Sequence, residues 1–167
     1  GDHNHFGIEF CLDAGIMTGT GADTFSPDDS ITRAQFATMF YRFAGSPETS
    51  DNSVFTDLTQ DWYKKPIAWA AANGVLNGTG NNTFSPDDVI TREQIAAIFY
   101  RYAESKGLNM TVSESWREAL KTDNDYTEIA DYAKLAVEWC YEHHILFTYS
   151  LDGYAYSICP KAAPTRA

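Results

Sequence analysis

The sequence predicts a mainly α-helical protein built from three copies of one helix–loop–helix unit, on three observations. The string Ile90-Thr91-Arg92-Glu93-Gln94-Ile95 recurs as Ile31-Thr32-Arg33-Ala34-Gln35-Phe36 and begins again as Pro164-Thr165-Arg166-Ala167. Gly15 and Gly74, Gly19 and Gly78, Phe25 and Phe84, Pro27 and Pro86, and Arg33 and Arg92 all keep one offset of 59 residues (74 − 15, 92 − 33), a register that marks a repeat. After each full Thr-Arg pair, apolar residues return at i, i+3, i+4 and i+7, the spacing of a helix with one buried stripe.

In chain order, Phe6 to Gly15 reads as a short helix with Ile8, Cys11 and Leu12 on one stripe and Gly15 as a left-handed cap. Its counterpart runs from Asp61 to Gly74, carrying Ile67, Ala70 and Ala71. A loop follows each, Gly19 to Pro27 and Gly78 to Pro86, with Phe25 or Phe84 as anchor. Its Asp and Asn residues lack the terminal bidentate Glu and the ligand alternation of a calcium loop, so no metal site is expected. The capped helices come next, Arg33 to about Ala44 and Arg92 to about Ser105. Thr32 with Gln35, and Thr91 with Gln94, have capping-box spacing. Phe36, Met39, Phe40 and Phe43 form one core stripe; Ile95, Ile98, Phe99 and Tyr102 form the other. Arg42 and Arg101 fall beside these stripes and read as side chains lying over apolar surface.

These signals divide the chain into a first repeat over 1–45, a linker over 46–54, a second repeat over 55–105, a connection over 106–125 and a third repeat over 126–167. In the connection, Ser115 and Glu118 are spaced as another capping box, and Trp116 and Leu120 are candidates to dock a small helix. In the third copy Val137, Trp139 and Cys140 match Ile67, Trp69 and Ala70, and Pro160 and Arg166 match Pro86 and Arg92, but the loop between has drifted. Cys11 and Cys140 share a repeat position with Ala70 between them, which leaves open a disulfide or an interchange of small residues.

With 12 Lys and Arg against 23 Asp and Glu, the formal charge is −11, so the overall field repels nucleic acid and anionic membranes. Any anion must be captured locally. No apolar run approaches the roughly 20 residues needed to cross a bilayer. The His3 and His5 pair reads as a surface segment rather than a metal site. Each repeated arginine falls at the first helical position, where the macrodipole disfavours a cation. Two readings stay open: a seat for an anion beside unsatisfied N–H groups, or pairing with Asp28 and Asp29 or Asp87 and Asp88.

The order Phe55-Thr-Asp57, Trp62, Ile67-Ala-Trp69, Gly74-Val-Leu-Asn-Gly78, Phe84-Ser-Pro86, Ile90-Thr-Arg92-Glu93 resembles an S-layer homology (SLH) repeat. Nearly the whole chain fits three such copies, the first lacking its start and the third stopping before its long helix, which would leave an apolar surface open. The resemblance implies three repeats around a pseudo-threefold axis, with the short helices as a central bundle. It further implies an extracellular place on the bacterial cell surface or wall and binding of secondary cell-wall polysaccharide, often through a pyruvylated amino sugar. By position it marks Arg33, Arg92 and Arg166 with Thr32 and Thr91 of the Thr-Arg motif, Gly19 and Gly78 as gaps for sugar, Asn77 as a polar contact, Trp62 as a stacking face and Asp61 beside it as an acceptor for sugar hydroxyls. The residues alone read Trp62 equally as a core anchor with Asp61 capping the helix. No cofactor is implied.

Three functions compete: a noncatalytic wall anchor, a structural subunit of a surface layer or filament, and a wall-glycan enzyme. The last has carboxylates available in Asp57, Asp61 and Glu93 but no paired acid–base spacing and no Ser-His-Asp or Cys-His arrangement. The expectation is therefore no enzyme. Self-association, or a partner segment completing the first and third repeats, is the other expected interaction.

Overall fold

The structure, a computed structural model, describes residues 3–21, 23–150 and 156–166. The side chains of 3–5 and 149–150 lie outside that description, and with them the His3 and His5 pair and the close of the third motif at Ala167. The protein is mainly helical: α1 (His3–Asp13), α2 (Arg33–Phe43), α3 (Asp61–Ala72), α4 (Arg92–Ser105), α5 (Glu114–Leu120) and α6 (Lys134–Glu142). The remainder is loops, one 3-10 turn (Tyr126–Glu128) and a two-residue antiparallel pair, β1 (Tyr149–Ser150) with β2 (Tyr156–Ser157). No described helix is long and apolar enough to cross a membrane. The chain forms two compact units, Gly1–Ile90 with Pro164–Ala167, and Thr91–Ala163. They do not coincide with the repeats, because each capped helix packs on the short helix of the next repeat: α2 on α3, and α4 on α6.

In the first unit the capping box forms as the spacing predicts: Thr32 Oγ1 accepts from Gln35 N at 3.2 Å and Gln35 Oε1 accepts from Thr32 N at 3.0 Å. That closure orients α2 so that Phe36 and Phe40 are buried. Phe43, expected in the same stripe and in the last position of α2, is 52% exposed. The edge of Tyr41 meets the ring of Trp69 at 5.5 Å and seats α2 on α3. The start of α3 corrects one expectation. Tyr63, fully buried, is the anchor, its hydroxyl accepting from Thr59 N and Gln60 N at 3.1 Å each. Tyr63, Ile67 and Ala70 (i, i+4, i+7) form the inward stripe, which turns Trp62 outward. Gln60, not Asp61, is the N-cap, and Asp61 instead pairs with Lys64 at 2.7 Å. On α1 the predicted stripe is only partly covered: Ile8 and Cys11 are half-buried and Leu12 is exposed.

The loops share a backbone device. Ser26, Ser85 and Cys159 each precede a proline with φ of 52°, 57° and 52°, a left-handed conformation unusual for a residue with a side chain. In the second repeat Asp57 holds it, its carboxylate accepting from Phe84 N at 2.9 Å and Ser85 N at 2.7 Å. Asp125 does the same for Ile158 N and Cys159 N at 2.8 and 2.7 Å. Burial alone would raise the Asp57 carboxyl, but the Phe84 and Ser85 N–H groups and the Arg33 guanidinium outweigh it and hold the carboxyl below its ordinary value of 3.8. A lowered folded-state pKa stabilises the fold above the unfolded value, and the contribution disappears as pH falls through the folded one. Between about pH 5 and about pH 2, urea midpoints should therefore fall more steeply for the native protein than for Asp57→Asn.

In the second unit α4 and α6 enclose Ala96, Ala97, Val137, Trp139 and Cys140, with Leu120 of α5 closing one side. Tyr100 meets Trp139 edge-on at 5.8 Å, repeating the Tyr41 and Trp69 contact. The expected Ser115 and Glu118 box does not form: α5 starts two residues earlier, at Glu114 after Ser113, which places Ser115 inside the helix. Arg117 ties α5 down, its Nε donating to Glu138 at 3.0 Å. All three cysteines are free thiols; burial pushes that of Cys140 up to about 12, and it donates to Ala96 O. Cys140 thus fills a small-residue position, as the interchange reading has it.

Candidate functional site

The three Thr-Arg arginines make equivalent bonds. Arg33 donates from Nε to Phe84 O and from Nη2 to Asn77 O, both at 2.9 Å, with its guanidinium 4.6 Å over the Phe84 ring. Arg166 donates from Nε to Phe25 O and from Nη2 to Thr18 O, both at 2.7 Å, and lies 4.8 Å over Phe25. Arg92 donates from Nε to Ile158 O at 2.9 Å and from Nη2 to Phe147 O at 2.6 Å. In repeat order, the first arginine is received by the second loop, the second by the third, and the third by the first.

This geometry corrects the picture of an open helix mouth. The first two N–H groups of α2 donate to Asp88 O at 2.9 Å and Pro86 O at 3.0 Å, and those of α4 to Ala162 O and Pro160 O at 3.1 and 3.0 Å. Donors already satisfied by carbonyls are not a seat for an anion. The Thr32 and Thr91 hydroxyls are likewise engaged in their caps. Glu93, buried, accepts from Ala130 N at 3.0 Å and from Lys161 Nζ, which fixes it in the core of its unit.

A cleft of about 300 Å³ lies open in the first unit. Arg166, Gly19 and Trp62 come together there, three residues expected in a site, joined by Gln35, Thr38, Met39 and Arg42 of α2. Arg42 donates from Nη1 to Ile16 O at 3.4 Å, a long bond. Arg166 has its Nη1 donors uncommitted among the described residues. Among the described residues no Asp or Glu lines the cleft, although the chain carries a charge of −11. The lining also holds an indole 49% exposed, whose Nε1 donates to Gln60 Oε1 at 2.8 Å. Two guanidiniums, hydroxyls and an exposed indole without a competing carboxylate suit a ligand with both a carboxylate and a C–H face.

The other expected site residues lie elsewhere. Asn77 lends its backbone carbonyl to Arg33, and its side chain is exposed. A Cβ on Gly78 would collide with Thr83 O and with the Phe55 ring, so the space its hydrogen leaves is filled by the protein itself. Asp61 is fully exposed and held by Lys64. Arg42 was legible in principle: Gln35, Thr38, Met39 and Arg42 follow i, i+3, i+4, i+7, a second stripe beside the hydrophobic one.

Helical repeats that clasp one another through arginine, with an open cleft beside Arg166, are what the described residues build. The family model described as S-layer homology domain matches residues 7–37 and 54–96. The chain belongs to the S-layer homology family, a cell-surface anchoring module with an extracellular location. It is 37% identical over 151 residues to an endoglucanase of Bacillus sp. (strain KSM-635), covering 90% of this chain and 15% of that protein. A cellulosome-anchoring protein of Acetivibrio thermocellus is 34% identical over 64% of this chain and 25% of its own length. An S-layer protein of Bacillus thuringiensis subsp. finitimus is 33% identical over 57% and 12%. The chain thus spans a quarter or less of each of these relatives.

Proposed function

We propose that the chain is a noncatalytic wall anchor that binds secondary cell-wall polysaccharide, with a pyruvylated amino sugar entering the Arg166 cleft. The observation that carries this reading is the acid-free cleft itself. A ketal carboxylate would meet the uncommitted Nη1 edge of Arg166 and the guanidinium of Arg42, and the sugar ring would lie on Trp62. The attraction has to be short-ranged, since the net charge opposes an acidic polymer beyond about one Debye length. The cellulosome-anchoring and S-layer relatives support attachment to the wall. Arg33 and Arg92 serve in this reading as clasps between repeats, and the repeats are those spanning 1–45, 55–105 and 126–167.

Cosedimentation with purified sacculi tests it. Arg42→Ala and Trp62→Ala remove exposed or half-buried groups and should each weaken retention by about tenfold. Sacculi stripped of secondary polymer should retain nothing. Full retention of a folded Arg42→Ala, Trp62→Ala, Arg166→Ala variant would refute the reading.

One observation favours a packing role as well. Phe10 holds the repeat position of Trp69 and Trp139, which are 6% and 3% exposed, yet Phe10 is 61% exposed and Phe6 78%. A surface subunit would use this face against protein. Concentration-dependent assembly without glycan, abolished by Phe10→Ser, is the outcome expected of that role, and ideal monomer sedimentation at all concentrations is the outcome that excludes it.

A further inference from the structure

The second repeat carries the dipeptide Asn-Gly twice, at Asn73-Gly74 and at Asn77-Gly78, and the fold treats the two in opposite ways. Asn73 is the C-cap of α3, with its Nδ2 donating to Trp69 O at 2.8 Å, and Gly74 N donates to Ala71 O at 3.0 Å. The carboxamide and the following backbone nitrogen are both tied to the helix end. Asn77 has an exposed side chain that makes no hydrogen bond among the described residues, and the exposed Gly78 N likewise donates to none of them.

The peptide joining Asn77 to Gly78 is polarised as well. Arg33 Nη2 donates to Asn77 O at 2.9 Å, so a guanidinium draws charge from the carbonyl bonded to Gly78 N. A nearby cation favours the deprotonated form of such a group, and a deprotonated amide nitrogen is a nucleophile. Gly78 has no Cβ to shield that nitrogen from an approaching carbon. The carbonyls that receive the other two arginines belong to Phe147 and Thr18, which have no carboxamide, so the first clasp alone has this chemistry within reach.

We propose that Asn77 is a self-modification site, which converts in the folded protein through a cyclic imide to aspartate and isoaspartate. Gly78 N attacks Cγ of Asn77. The N–Cγ bond forms, the Cγ–Nδ2 bond breaks, and ammonia leaves with the proton that Gly78 N gives up. Water then opens the imide and returns a proton to the nitrogen. Opening at Cγ restores the original backbone with an aspartate side chain. Opening at the original carbonyl routes the chain through Cβ and Cγ, one methylene longer, and leaves the oxygen that receives Arg33 in a free carboxylate. The isoaspartate form therefore gives Arg33 an ion pair but displaces Gly78 from its close fit against Thr83 O and the Phe55 ring.

Incubating the full 167-residue chain in mildly alkaline oxygen-18 water tests the site, since only conversion during the incubation takes up the label. Peptide mapping by mass spectrometry follows Asn73 and Asn77 separately. In the native protein Asn77 should convert at least about tenfold faster than Asn73, because two hydrogen bonds protect only the latter. In unfolding concentrations of urea the two rates should converge. Asn77→Ala keeps the carbonyl that receives Arg33, so it should leave the thermal midpoint unchanged and abolish the faster conversion. Equal native rates, a faster Asn73, or an Asn77 that keeps its amide while the unfolded chain loses it would each overturn the inference. A gap that persists undiminished in urea would overturn it too, by assigning the difference to local sequence instead of the fold.

Discussion

Arg33→Ala should destabilise the protein by about 3–5 kcal/mol, as two charge-assisted bonds to carbonyls and a cation–π contact disappear together. The side chain is 5% exposed, so the abandoned carbonyls of Phe84 and Asn77 have little water to turn to. Against a total stability of about 5–15 kcal/mol, such a loss is visible as a large fall in the urea midpoint and in Tm. Arg33→Lys should lie between the two, because an ammonium keeps the charge but cannot span both carbonyls with a fixed fork. A loss below about 1 kcal/mol for the alanine variant would show that the clasp is not structural. The same logic governs how binding variants are read. Arg166 is 8% exposed and makes the same bonds, so its removal acts on fold and ligand together, whereas Arg42 and Trp62 report on the ligand alone.

Gly78→Ala should be the second severe change. The new methyl would run into the carbonyl of Thr83 across the loop and the edge of Phe55, one of which is backbone and cannot swing aside. The Thr79 N to Thr83 O bond at 2.9 Å and the Asp57 bonds to Phe84 and Ser85 depend on the same loop closing, so the expected cost is about 2–4 kcal/mol. Gly80→Ala, where no atom lies within 4 Å, should cost less, through its φ of 122° only. Equal effects at the two positions in chemical unfolding would contradict the packing argument.

Much of this architecture was readable before any coordinates. Helix starts at Arg33 and Arg92 follow from the Thr and Gln spacing, and both capping boxes are present with their reciprocal bonds. The 59-residue register located the glycines and the Ser-Pro turns because it depends on identity, which drift cannot imitate. Long-range closure was not readable. Nothing local says that Arg33 would meet Phe84, or that α3 would turn Tyr63 inward and Trp62 outward; that choice depends on a neighbouring helix supplying Tyr41 to Trp69. The open cleft formed where Arg166 meets the first loop, which carries Gly19, while the helix mouths expected to hold an anion were filled by carbonyls from the following loop. Arg42 reads from the sequence as lying over apolar surface because the apolar stripe next to it dominates the periodicity of α2.

The clasp at Arg166 also bears on how the molecule comes together in time. Its bonds to Phe25 and Thr18 join residues 141 and 148 positions apart, while the corresponding bond from Arg33 to Phe84 spans 51. Looping so much chain carries an entropic barrier that nearer pairings do not face. The first unit therefore has to wait for a segment made after the whole of the second unit, and its last seam is expected to be the slowest step on the refolding route.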